Sequence, residues 1–134
     1  MPTKLQLSFA KDAPKGDVIT ICLIGKDNQL MPRLDKDVAA HLIDAMTALQ
    51  FTGAFGKSML VYHNQKSYLL VGVGKKLDAG KSAENLGGKL FSALSGTMAK
   101  RGWLMDQQLD AAVLADICFG AELAAYHFDK YFTD

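Results

Sequence analysis

Cysteine is scarce in this sequence. Cys22 falls in a predicted strand and Cys118 at the start of a predicted helix, far apart along the chain. Neither belongs to a C-x-x-C or Cys/His pattern of the kind that holds a metal ion. A chain of this length also needs no disulfides to be stable, so we interpret both residues as reduced thiols of the core.

Long apolar runs and an excess of charge of one sign are missing too. No segment approaches the roughly 18 apolar residues of a membrane span, and the opening MPTKLQLSFAKD lacks the apolar core of a signal peptide. The 15 Lys and Arg residues against 14 Asp and Glu leave a net charge of +1, which gives no bulk attraction to nucleic acid or an anionic membrane. The sequence therefore predicts a cytoplasmic protein with no membrane partner and no indicated nucleic-acid partner.

The common catalytic patterns are absent as well. The stretch GAFGKS at 53–58 is not a P-loop, because the first glycine of that motif would fall on Phe51 and the segment leads into a strand. The histidines His41, His63 and His127 share no ligand spacing, and no G-x-S-x-G nucleophile motif occurs. We accordingly predict no catalytic residue, no metal ligand and no cofactor in this chain.

What the sequence does contain is the alternating pattern of an α/β domain. Its 134 residues are the usual size of one domain, and we expect residues 1–134 to form one. Short apolar runs predict five strands, of which the last four are expected to be well buried, at residues 5–9, 18–24, 58–62, 68–71 and 109–115. The alternation of strands with helices favours a mixed, mostly parallel sheet with helices on its faces.

Three segments repeat their apolar residues at helical spacing. The first is capped by Asp35 or Asp37. The second begins at Ser82 and ends at Gly102, and the third begins at about Asp116. Their apolar stripes are, in order, Val38, Leu42, Ala45, Met46 and Leu49; Leu86, Leu90, Leu94 and Met98; and Ile117, Ala121, Ala124, Phe128 and Tyr131.

The stretch LLVGVGKK at 69–76 is the best-placed candidate for a ligand site. Gly72 and Gly74 would let a phosphate approach the backbone, and Lys75 could neutralise it, so these three residues are the candidate phosphate contacts. The predicted helix starts several residues later, at Ser82, rather than directly after the glycines. A tight strand exit followed by solvated lysines is therefore the alternative interpretation.

Aromatic residues crowd the end of the sequence. Tyr126, Phe128, Tyr131 and Phe132 fall within seven residues. One face of a helix cannot bury all four, and we expect Phe128 and either Tyr131 or Phe132 to reach the core. Two interpretations stay open for the others: docking against a surface outside this chain, or a closing helix with half-buried tyrosines.

The same terminal segment resembles the amino-terminal domain of the cytosolic leucyl aminopeptidases. FGAELAAYHFDKY at 119–131 is similar to the closing helix of that domain, where a small-residue stretch precedes Tyr-Arg-Phe-Asp-Lys-Tyr; His127 stands at the place of the Arg. LLVGVGKK followed by SAENLGGKL resembles the family's Gly-x-Gly-Lys turn and Glu-Asn-Leu helix start, and FTGAFGKS resembles its Phe-x-Gly-Lys turn. The resemblance covers residues 51–131, and the first 50 residues match only in pattern.

The resemblance implies a three-layer α/β/α fold related to the macro domains. It also implies a longer parent protein, in which a larger carboxy-terminal domain holds two divalent metal ions, zinc or manganese, and hydrolyses the first peptide bond of a peptide. The parent is expected to assemble as a hexamer. Because none of the catalytic motifs occurs in these 134 residues, we expect a non-catalytic accessory domain that serves assembly or substrate access and whose partner is the absent catalytic domain.

Two other functions stay open at this point. A macro-like module could bind a nucleotide or another phosphate ligand at residues 72–75. Alternatively, the domain could bind a macromolecule through scattered basic residues, which are Lys75, Lys76, Lys81, Lys89, Lys100 and Arg101.

Overall fold

The computed structural model describes residues 6–8, 18–26, 29–30, 34–74, 80–97, 101–105 and 110–132, with the backbone alone at positions 6, 29 and 127–132. Over these residues the strands are β1 (Gln6–Ser8), β2 (Ile19–Gly25), β3 (Gln29–Leu30), β4 (Ser58–His63), β5 (Lys66–Gly74) and β6 (Arg101–Leu104), and the helices are α1 (Lys36–Ala48), α2 (Lys81–Ser95) and α3 (Ala111–Phe132). Within these ranges no helix has both the length and the apolar character needed to cross a membrane.

The strands form one mixed sheet in the order β1-β6-β2-β5-β4. β2 lies at its centre and pairs in parallel with both β5 and β6, and β1 continues the parallel pattern beside β6. β4 is antiparallel to β5, and β3 folds back antiparallel onto the end of β2. The expectation of a mixed, mostly parallel sheet is confirmed.

Helices cover both faces of this sheet, because the side chains of the central strand alternate between them. Ile21 and Leu23 of β2 face α2 and α3, in one apolar cluster with Leu90 and Ile117. Cys22, between them, belongs to the second cluster. That cluster joins the opposite face to Leu42 and Met46 of α1, together with Ile24, Val61, Tyr68 and Leu70. The three-layer α/β arrangement is therefore present.

Most predicted elements are confirmed, with one clear exception. The strands predicted at 5–9, 18–24, 58–62 and 68–71 are β1, β2, β4 and β5. The strand predicted at 109–115 is wrong, because α3 already begins at Ala111. Val113 and Ile117 are both buried, four residues apart on one side of that helix. A short apolar run fits a buried strand or a buried helix equally well, and here the helix is correct.

The second predicted helix is also too long. α2 starts one residue earlier than expected, at Lys81 after Gly80, and ends at Ser95. Gly102 does not stop the helix but lies inside β6, a strand that the sequence pattern missed. A Cβ atom at Gly102 would stand 3.0 Å from Ile21 and 3.1 Å from Leu94. The glycine therefore leaves room for the side chains that pack α2 onto the sheet.

Three positions expected in the core are exposed. Within β4 only Val61 is buried, whereas Leu60 is 53% and Tyr62 66% exposed. β4 is the last strand in the sheet order, and the helices on the side of Leu60 leave it uncovered. Leu49, expected on the stripe of the first helix, is exposed because α1 ends at Ala48.

The contact between α2 and α3 includes close backbone approaches in addition to packed side chains. A Cβ atom at Gly87 of α2 would collide with the carbonyl oxygen of Ile117, and one at Gly120 of α3 with the carbonyl oxygen of Glu84. Two glycines, one on each helix, therefore let the helices approach more closely than side chains would allow. The neighbouring Gly88 faces open space, with nothing within 4 Å of its missing side chain.

These glycines yield a prediction with an internal control. Gly120→Ala should lower the free energy of unfolding by about 3 kcal/mol or prevent folding, because the helices must separate to admit the methyl group. Gly88→Ala should raise it by about 0.5 to 1 kcal/mol, since alanine loses less backbone entropy in a helix. Urea denaturation followed by circular dichroism measures both. Equal stability of the two variants would show that the backbone contact is unimportant.

Candidate functional site at the carboxyl end of the sheet

The glycines singled out in the sequence meet at the carboxyl ends of β2 and β5, the edge at which open α/β sheets usually bind ligands. We define the glycine corner as Gly25, Gly53, Gly72 and Gly74. A side chain at Gly53 would collide with the carbonyl oxygen of Gly25, and one at Gly72 with that of Ala54. Two of the motifs that carry the family resemblance, GAFGKS at 53–58 and the LLVGVG part of LLVGVGKK at 69–74, thus pack backbone against backbone.

Hydrogen bonds within the glycine corner occupy the amides that a phosphate would need. The amide of Gly72 donates to the carbonyl of Lys57 at 2.8 Å, and the amide of Gly74 to that of Gly53 at 2.9 Å. In return, the carbonyl of Gly72 accepts from the amide of Gly56 at 3.0 Å. A phosphate at Gly72 and Gly74 would therefore have to displace the loop at 53–57, whereas Lys75 lies outside the described residues.

α2 is the first helix after the LLVGVGKK segment along the chain. Its N-terminus faces a carboxylate of the protein itself. The backbone amide of Gly80 donates to Oδ2 of Asp116 on α3 at 2.6 Å. Glu84 lies in the first turn, 3.5 Å from Nζ of Lys81. These carboxylates lie where a bound anion would benefit from the helix dipole. The carboxylate of Asp116 also ties α3 to the start of α2.

Two histidines that share no sequence spacing come together in the fold. His41 of α1 and His63 at the end of β4 stack with ring centroids 4.2 Å apart. Nε2 of His63 also lies 3.2 Å from Nδ2 of Asn64. The sequence held no signal for this pair, since only the packing of α1 over β4 creates it. Across the described ranges, no group of three or more His, Cys, Asp or Glu residues could hold a metal ion.

The cysteines lie in unreactive surroundings. Burial in the second apolar cluster raises the pKa of the Cys22 thiol from 9.0 to about 12. The pKa of Cys118 is raised by partial burial and by Glu122, whose Oε1 lies 3.8 Å from its sulfur. A thiol is a nucleophile only as the thiolate, so neither residue is activated for chemistry.

The terminal aromatic segment is helical, because α3 continues to Phe132. Tyr126 is 63% exposed. The side chains of His127, Phe128, Tyr131 and Phe132 lie outside the described residues, so the placement of Phe128 in the core stays a prediction.

Comparison with known proteins decides the family. The model of the N-terminal domain of the cytosol aminopeptidase family matches residues 21–134, most of the chain and both glycine motifs. The chain belongs to this family. The match confirms the resemblance carried by the terminal segment and the two turns, and it extends the relationship toward the amino terminus as far as β2.

Two relatives show how much of a cytosol aminopeptidase the chain represents. A probable cytosol aminopeptidase of Wolbachia pipientis wMel is 32% identical over 132 residues, which cover 96% of this chain and 25% of that protein. The structure of a mutant of tomato leucine aminopeptidase shares the fold, with a TM-score of 0.61 and 18% identity over 91% of this chain and 28% of that one. The chain thus spans about a quarter of the length of these relatives.

The glycine corner of this aminopeptidase-family domain leads to a binding prediction. Titration with ADP-ribose or ATP should leave the backbone amide resonances of Gly72 and Gly74 unmoved, because both amides already donate to the loop at 53–57. Two-dimensional amide spectra measure this, with the amide of Gly88 as an internal reference. Saturable shifts confined to Gly72 and Gly74 would establish the phosphate contact instead.

Cys22 provides a prediction on pH. Its pKa is raised in the folded state, so its contribution to stability is complete below pH 9 and is lost as the pH rises toward 12. In that interval the free energy of unfolding should fall by up to about 1.4 kcal/mol per pH unit from this group alone. The pKa of Tyr68 is raised in the same direction by burial and by Cys22.

The matched control is Cys22→Ala, which retains every other titrating group. Urea denaturation at pH 8 and pH 10 should show a larger loss of stability in the wild-type chain than in the variant. The same loss in both proteins would mean that Cys22 ionises without opening the core.

Proposed function

We propose that this chain is the non-catalytic amino-terminal domain of a metal-dependent aminopeptidase, a cytoplasmic protein that releases amino-terminal residues from peptides. The family match over residues 21–134 is the observation that carries the proposal. The share of the relatives that the chain spans supports it, since about three quarters of their length lies elsewhere. That remaining length is where we place the catalytic domain.

The metal chemistry belongs, in this proposal, to the part that the chain does not cover. The two divalent ions, zinc or manganese, need a cluster of carboxylate or similar ligands. The donor set here does not fit: among the residues whose side chains are described, no three potential ligands converge, and His41 and His63 stack on each other. No step of peptide hydrolysis is therefore assigned to residues of this domain.

The role that we propose for the domain is assembly or control of substrate access in a hexameric parent. The support is the apolar surface it leaves exposed. On one side this surface includes Leu60 and Tyr62 of β4, and on another Phe119, Leu123 and Tyr126 of α3. Exposed apolar residues grouped in this way mark surfaces that contact other protein segments. The glycine corner, by contrast, is satisfied internally and favours no phosphate-binding function.

The test compares two proteins: the 134-residue chain and the longer protein encoded by its reading frame beyond Asp134. With zinc or manganese added, we expect no hydrolysis of leucine p-nitroanilide by the 134-residue chain above the blank. The longer protein should hydrolyse the substrate, and a chelator should abolish that activity. Metal-dependent turnover by the short chain, or an inactive longer protein, would refute the proposed division of labour.

A further inference from the structure

The outward side of α3 carries an apolar stripe, defined as Phe119, Leu123 and Tyr126. The spacing of four and three residues places all three on one side of the helix. They are 51%, 38% and 63% exposed. The opposite side of α3, with Ile117 and Gly120, packs against α2 and the sheet. The orientation of the stripe is therefore fixed by the close contact of the two helices.

The exposed side of α2, the other helix on this face of the sheet, provides a comparison for the stripe of α3. Its exposed residues are polar or small, and they are Lys81, Ser82, Asn85, Lys89 and Ser92. α2 and α3 pack against the same face of the sheet. The difference in composition indicates that α2 meets water, whereas the α3 stripe is suited to meet protein.

We propose that the α3 stripe is the docking surface for the carboxy-terminal part of the longer aminopeptidase chain. The proposal rests on the proposed function, which supplies that part. The complementary surface is apolar and carries a Lys or Arg side chain, because Glu122 lies exposed beside the stripe. α3 continues to Phe132, about 9 Å along the axis from Tyr126, so the stripe lies near the end from which the proposed carboxy-terminal part would continue.

The size of the stripe favours a tethered partner over a second copy of the domain. Its three side chains expose about 300 Å², taking aromatic side chains as about 200 Å² each, whereas a stable interface between separate proteins buries about 800 Å² per partner. A partner in the same polypeptide acts at an effective concentration of about millimolar, so a smaller surface suffices.

The charge of α3 also favours a tethered partner over a second copy of the domain. Between Ala111 and Tyr126, α3 carries Asp116 and Glu122 but no basic residue. Two copies paired through their stripes would place two Glu122 carboxylates in one interface, whereas a basic partner surface would offset the charge. A second copy is therefore disfavoured at the place where a basic partner surface is favoured.

Thiol labelling tests the proposal directly. In a Cys118→Ser background, Leu123→Cys is made in both the 134-residue chain and the longer protein, and the rate of reaction with a maleimide is measured. Cys22 does not interfere because it is fully buried. We expect the cysteine at 123 to react at least tenfold more slowly in the longer protein. Asn85→Cys on the polar side of α2 is the matched control and should react at the same rate in both.

The labelling rates can overturn the proposed docking surface in two ways. Equal rates at position 123 in the two proteins, repeated with Phe119→Cys, would overturn the proposal. Protection that appears in the 134-residue chain itself and grows with concentration, together with a dimer in sedimentation, would assign the stripe to a second copy and overturn it as well. Assaying leucine p-nitroanilide hydrolysis on the same longer protein separates the two ideas. An active but unprotected protein refutes only the docking surface, and a protected but inactive one refutes only the proposed function.

Discussion

The close approach of α2 and α3 is the constraint on which the outer layer of this domain depends. Gly87 and Gly120 leave the two helix backbones in contact, at carbonyl oxygens of Ile117 and Glu84. Because that contact admits no side chain, it fixes how α3 is rotated about its axis. The buried side of α3 then fills the first apolar cluster, and the opposite side turns Phe119 and its neighbours outward.

A second close contact between backbone segments lies at the carboxyl end of the sheet. In the glycine corner, Gly72 and Gly53 bring β5, the loop at 53–57 and the end of β2 together, and hydrogen bonds between them use the amides of Gly72 and Gly74. Glycine motifs at strand ends are often associated with phosphate binding. Here the amides of Gly72 and Gly74 bond within the fold and connect β5 to the loop at 53–57.

Much of the fold and little of the site could be predicted from the sequence. The short apolar run of β2 and the stripes of α1 and α2 identified the central elements, because the run has the length of a buried strand and the stripes repeat with the helical period. β6 was missed because a strand of four residues with an internal glycine carries no periodic signal. The run around Val113 was misassigned because its exposed positions, Ala111, Ala112 and Ala115, are apolar and so give the helix no polar side that would reveal its period. The stacked pair of His41 and His63 left no trace in the sequence at all.

The sequence by itself determined the family, because the terminal segment and the two glycine turns are contiguous motifs that can be recognised without knowing the fold. It also determined the fold class, through the order of apolar segments along the chain. Only the tertiary structure decided what those patterns do. Whether a glycine amide is available to a ligand, and whether a phenylalanine lies inside or outside, depends on which distant segment packs against it. That contact is set by the whole chain and not by neighbouring residues.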